Sequence, residues 1–329
     1  MSADQPPLLA PEMLERIQHL ALVARRVAEG ALHGLHRSRL HGLSIEFAQH
    51  REYSPGDEIK HIDWQVAGRS DRYVIKQYEL ETNLRAMILV DASASMAYGA
   101  HLEDEAPAGS VPPPDLRAAA GSDASRSKFH YARTLAAALS YLLLHQGDSV
   151  GLIVSADRIW EQLPLRATPG HVLSVCRSLE RIRPAGRTDL PGVMGQLAAR
   201  FKRRGLVIVI SDLLDDPRRL LLALGQLHHR GHEVIVFQVL DPRELDFRLA
   251  MPGRHPTVIR DMETGEEFDA EPNLIRDLVR GEIQRFLAQL DAGTRNIGLH
   301  LVRCSTAEPA EFVLTRYLQR RLKGVRSRV

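Results

Sequence analysis

From residue 85 onward, short apolar runs alternate with stretches of helical period, and no other feature constrains the fold as tightly. "AMILV" (86–90) reads as a strand, "KFHYARTLAAALSYLLLHQ" (128–146) as a long helix and "DSVGLIVSA" (148–156) as a second strand. "DRIWEQLPL" (157–165) is expected to fold back on that strand as a hairpin. Helices at 171–182 and 190–204 precede "LVIVIS" (206–211), a continuous apolar strand of the kind covered on both faces. A helix at 217–231, a strand at 233–240, a helix at 273–293, a strand at 297–305 and a closing helix at 310–322 complete the pattern. Such alternation predicts an α/β domain over 85–329, with a doubly wound, mostly parallel sheet.

The rest of the chain reads differently. Residues 11–30 have helical period, with Pro11 suited to a first turn and Gly30 to a stop. Residues 31–84 are expected to form a smaller β-rich attachment: "SPGD" (54–57) signals a turn, and "VIKQYELET" (74–82) alternates like a half-buried strand. Two pieces interrupt the α/β pattern. Residues 98–127 are rich in Pro, Gly, Ala and Ser, and are expected to be mobile and to regulate access to whatever lies near their stem. Residues 242–269 read as short strands with a turn at "ETGEE" (263–267), and are expected to pack with the attachment.

Composition narrows the function classes. A formal net charge of +2 calls for no anionic partner, and the basic runs at 36–41, 202–204 and 320–329 read as solvated surface. With aromatics at only 5%, a nucleic-acid surface is not expected. Two cysteines far apart, Cys176 and Cys304, suit a reducing compartment. The start "MSADQPPLLAPEML" lacks the pattern of a signal peptide, and the longest apolar stretch (134–144) is too short to span a bilayer. A cytoplasmic location is therefore expected.

The polar residues at the strand ends carry the chemistry. "LVDASASM" (89–96) leaves an apolar strand and at once sets out a carboxylate and two hydroxyls at alternate positions, which in extended chain point the same way. In an open parallel sheet, ligands sit outside the carboxyl ends of the strands. "LVIVISD" brings Asp212 to a second strand end, and the loop "RPAGRTDLPG" (183–192) presents Thr188. Asp91, Ser93, Ser95, Thr188 and Asp212 are all oxygen donors, without His or Cys, and suit Mg²⁺ or Mn²⁺. Two carboxylates balance one dication.

Asp91-x-Ser93-x-Ser95, a later loop Thr188 and a strand-end Asp212 together resemble the metal-ion-dependent adhesion site of von Willebrand factor A-type domains. The resemblance implies Ser93 and Ser95 as direct ligands. Thr188, Asp91 and Asp212 would share the remaining direct and water-bridged positions, and an acidic group from outside would complete the shell. Upstream, Glu46-Phe47, Arg51-x-Tyr53, Pro55-Gly56-Asp57 and Ile62-Asp63-Trp64 resemble the signature of bacterial domain-of-unknown-function family 58, whose members carry this A-type domain. That family resemblance implies a MoxR-type AAA+ ATPase, or its client, as partner, in the assembly or remodelling of other proteins.

Two function classes compete. In a binding module, a cation held by neutral hydroxyls keeps residual positive field and recruits a partner's acidic side chain, with Arg187 beside it. A dehalogenase-type metal-dependent phosphohydrolase also starts at a strand-end Asp, but needs a second carboxylate two residues on as general acid. Ser93 occupies that place, no catalytic lysine stands out, and no Gly-rich phosphate loop is present. The residues favour the non-enzymatic interaction module.

Overall fold

A computed structural model describes residues 11–37, 46–52, 74–79, 84–99, 127–246, 257–270 and 272–326. Its centre is a six-stranded sheet of β3 (Arg85–Asp91), β4 (Ser149–Ser155), β5 (Ile159–Arg166), β6 (Leu206–Ser211), β7 (Glu233–Leu240) and β10 (His300–Ser305). The spatial order is β10-β7-β6-β3-β4-β5, parallel throughout except for β5, which runs antiparallel to β4. The doubly wound, mostly parallel α/β architecture expected from the alternation is the one observed, and the β4–β5 hairpin is present.

Because alternate residues of a strand face opposite ways, each strand feeds two cores. On one face Ile88 and Val90 of β3, Leu152 and Val154 of β4, and Ile208 and Ile210 of β6 pack under α1 (Pro11–Arg37), α2 (Lys128–His145), α3 (His171–Arg181) and α8 (Ala310–Arg326). On the other, Met87, Leu89, Ile153, Val207 and Val209 pack under α4 (Leu190–Arg200), α5 (Pro217–His229) and α7 (Pro272–Ile297). Double coverage explains why β3 and β6 are nearly continuous in apolar residues.

The first helix differs from expectation in length and role. It runs through Gly30 to Arg37 and is no separate element: Ile17, Leu20, Ala24, Val27, Ala28 and Ala31 belong to the core, against α2, α3 and α8. Gly30 does not stop the helix. It gives room for α8, since a Cβ there would meet the Glu311 carboxylate.

Two small antiparallel sheets accompany the main one, β1 (Glu46–Glu52) with β2 (Val74–Glu79), and β8 (Thr257–Arg260) with β9 (Glu267–Ala270). Among the described residues they share no strand pairing, and the packing expected between 31–84 and 242–269 falls on side chains outside those described. The excursion expected to be mobile also lies outside the described residues, except for its stems, where Lys128 N–H donates to the Tyr98 carbonyl at 3.0 Å. No helix among the described residues is long and apolar enough to cross a membrane.

Candidate functional site

Strand register builds the site. Asp91 is level with Ser155 on β4, and Val90 with Ile210 on β6, so Asp91 and Ser211 end neighbouring strands together at the centre of the sheet. Asp91 is 1% exposed; its Oδ1 accepts the Ser93 N–H at 2.9 Å and its Oδ2 accepts the Ser211 hydroxyl at 2.6 Å. Ser93, extended and buried, opens a 3₁₀ turn over Ala94–Ala97, and its Oγ lies 3.0 Å from that of Ser95. The alternation in "DASAS" thus does bring the two serines together.

The third loop is stitched onto the first. Ala94 N–H donates to the Gly186 carbonyl (2.9 Å), and Ala185 N–H donates to that of Ala92 (3.0 Å). Asp189 caps α4, accepting from Gly192 N–H, which fixes Thr188 at the loop's end. Asp212, 1% exposed, follows β6; its Oδ1 accepts the Leu214 N–H at 3.1 Å. The chain turns away through Leu213, whose φ of 62° is unusual for a non-glycine; its side chain is buried and its N–H donates to Ser211 Oγ at 2.9 Å. Asp91 therefore closes β3, Ser93 and Ser95 follow it, Asp212 follows β6, and Thr188 lies on the α3–α4 loop that is hydrogen-bonded to the β3 exit. Asp212 is close enough to Asp91 for their charges to repel.

Three further residues shape the site. Ser211 orients Asp91. Lys128, fully buried at the start of α2, places Nζ 2.7 Å from Asp212 Oδ2 and 2.7 Å from Glu244 Oε1 on α6 (Pro242–Asp246). Glu263, in the β8–β9 turn, accepts the Thr188 N–H through Oε2 at 3.1 Å, and its carboxylate faces the Ser95 hydroxyl. Nothing in the sequence singles out Lys128. A lysine in a first helical turn usually reaches water, and only the tertiary positions of Asp212 and Glu244 bury this one. Glu263 gave no signal beyond an acid in a turn.

Electrostatics follow from burial. Asp91 is pushed up to about 7, first by desolvation and then by the Asp212 charge, against hydrogen bonds from Ser211 and Ser93. Burial disfavours the charge on Lys128, but Asp212 and Glu244 outweigh it and hold its pKa above the ordinary lysine value. Burial likewise raises Glu244 and Glu263. Thr188 Oγ1 and Glu263 Oε1 are buried without a hydrogen-bond partner.

These features fit a small hard cation: ligand atoms that are all oxygens, two buried oxygens lacking hydrogen bonds, and an Asp91 carboxylate that, unlike Asp212 with its Lys128 ammonium, meets no positive group among the described residues. Among the described residues no group of three or more His, Cys, Asp and Glu is arranged to hold a metal. A cation here would depend on the serine and threonine hydroxyls.

A family model described as "Protein of unknown function DUF58" matches residues 49–106 and 117–291. The chain belongs to this family. Its relatives include the uncharacterized protein Rv1480 of Mycobacterium tuberculosis, 28% identical over 275 residues, spanning 82% of this chain and 78% of that protein. Uncharacterized protein Mb1516 of Mycobacterium bovis matches to the same extent. Among solved structures the DUF58 chain is similar to BatB from Bacteroides thetaiotaomicron, at 18% identity and a TM-score of 0.44, covering 73% of this chain and 99% of that one. It is also similar to the SpRpn10 VWA domain, at 13% identity and a TM-score of 0.37, covering 71% and 94%. Likeness at this level adds nothing to the topology already described.

Proposed function

We propose that this DUF58 protein is a metal-ion-dependent protein-interaction module and not an enzyme. Ser93 and Ser95 would hold Mg²⁺ or Mn²⁺ directly, with Thr188, Asp91 and Asp212 sharing the remaining direct and water-bridged positions. The observation that carries the reading is the gathering of hydroxyls at the central strand ends, with the buried Thr188 hydroxyl lacking any partner. The ion would supply a positive centre that neutral hydroxyls leave under-compensated, and so attract an acidic side chain from another protein. The family resemblance makes a MoxR-type AAA+ ATPase or its client the expected partner, in assembly or remodelling of protein complexes.

Phosphohydrolase chemistry lacks its second carboxylate, because position 93 is a serine whose hydroxyl lies beside Ser95. Lys128 does not restore it. Its ammonium is enclosed and engaged by Asp212 and Glu244. Titration calorimetry with Mg²⁺ and Mn²⁺ tests the reading: the wild type should bind one ion, and Asp91→Ala should lose it while keeping its fold. Equal affinity in Asp91→Ala and Asp212→Ala would remove the assignment. Capture of the MoxR-type ATPase in Mg²⁺ but not in chelator tests the partner.

A further inference from the structure

The β8–β9 turn reaches into the site. Asp261 accepts the N–H groups of Glu263 (2.7 Å) and Thr264 (3.0 Å), and Gly265, at φ 73°, lets the chain close the turn. The geometry sets Glu263 against the loop that carries Thr188. One carboxylate oxygen takes the Thr188 N–H at 3.1 Å; the carboxylate also faces the Ser95 hydroxyl, yet its second oxygen, like the Thr188 hydroxyl, is buried without a well-formed hydrogen bond among the described residues. A buried carboxylate oxygen that is poorly satisfied is costly, and a cation between it and the Thr188 and Ser95 hydroxyls would offset that cost. Arg187, beside Thr188, is exposed, and its charge adds to the Thr264 and Glu263 N–H groups in holding the Asp261 pKa low. Among the described residues the hairpin pairs only with itself, and Thr264, Glu266 and Phe268 are exposed, so it is weakly anchored.

We propose that Glu263 is a built-in occupant of the site, holding the acidic position that a partner's Asp or Glu would take, so that a partner binds by displacing the β8–β9 turn. This rests on the metal reading above. The contact gives the site a resting state in which its own chain competes with the partner.

The test uses the full chain and Mn²⁺ alone, comparing wild type with Glu263→Gln, Glu263→Ala and Asp91→Ala. The turn is made by Asp261 backbone contacts, so the Glu263 variants should melt as the wild type does in chelator. If Glu263 is a ligand, both variants should bind Mn²⁺ about tenfold more weakly or worse, since a charged donor is lost. Water-proton relaxation by bound Mn²⁺ should rise in Glu263→Ala, because water takes the freed position. Unchanged affinity and relaxation would overturn the inference and leave the metal reading standing, as would weaker binding with no change in relaxation, which marks a remote charge effect. No binding by the wild type would overturn both.

Discussion

Removing the Lys128 ammonium should be among the most damaging single changes in the protein. Lys128→Met keeps the length and apolar stem of the side chain and deletes only its charge. The two carboxylates it serves, each 2.7 Å away, cannot turn to water: the Asp212 side chain is 2% exposed and that of Glu244 21%. Breaking a buried ion pair by removing one partner costs ~3–5 kcal/mol, most of it the penalty of the stranded charge. A value toward the upper end is expected, because two charges are stranded. The assay is equilibrium denaturation in chelator at pH 7.5, with the denaturant slope checked for constancy. The double variant Lys128→Met/Glu244→Gln should recover part of the loss, since one of the stranded charges is gone. Burial already raises the Glu244 pKa and the ammonium opposes that rise, so without it the folded state should hold a proton on Glu244 that the unfolded chain has released. The deficit should therefore shrink as pH falls toward 4. A loss below ~1 kcal/mol with an unchanged slope, or a deficit that ignores pH, would refute the reasoning.

Asp91 carries a second pH signature. Its folded pKa, about 7, lies above the ordinary 3.8, so the folded state binds the extra proton between these values. In chelator, stability should fall as pH rises through that window. Asp91→Asn should flatten this fall, and parallel pH profiles would speak against it. Gly205→Ala should destabilise by ~1–3 kcal/mol, because the new Cβ meets the Arg85 carbonyl and the Phe201 ring, and backbone cannot step aside; an unchanged melting temperature would count against that packing. Gly30→Ala should instead be neutral or stabilising by up to ~1 kcal/mol, since the obstructing Glu311 carboxylate can swing away and alanine favours the helix. The thiols should resist a disulfide reagent until the protein unfolds: Cys176 and Cys304 are buried, and desolvation pushes the Cys176 thiol up to about 12.

Much of the fold was legible because doubly covered strands and amphipathic helices write different periods into sequence. The site was legible where it follows local rules. "DASAS" leaves a strand in extended chain, so its spacing alone predicts that the serines converge, and Asp212 follows from the end of a second apolar run. Lys128 and Glu263 obey no such rule. Their neighbours come from residues 212, 244, 188 and 95, far away in sequence, and a lysine in a first helical turn or a glutamate in a hairpin turn ordinarily meets water. Gly30 misled for a related reason. A glycine after helical period marks a stop locally, whereas here packing of α1 against α2, α3 and α8 carries the helix through it.

That last contact has a consequence for how the protein is made. Helix α1 is the first described element of the chain and α8 the last, yet they pack on each other and on the same sheet face. During synthesis the sheet can assemble strand by strand. The apolar face beneath α8 stays open until residues 310–326 have been made and have cleared the ribosome. A chain stalled or broken before that point should be left with a sticky, unfinished face. Such a product would be a substrate for chaperones and proteases well before it could reach any partner.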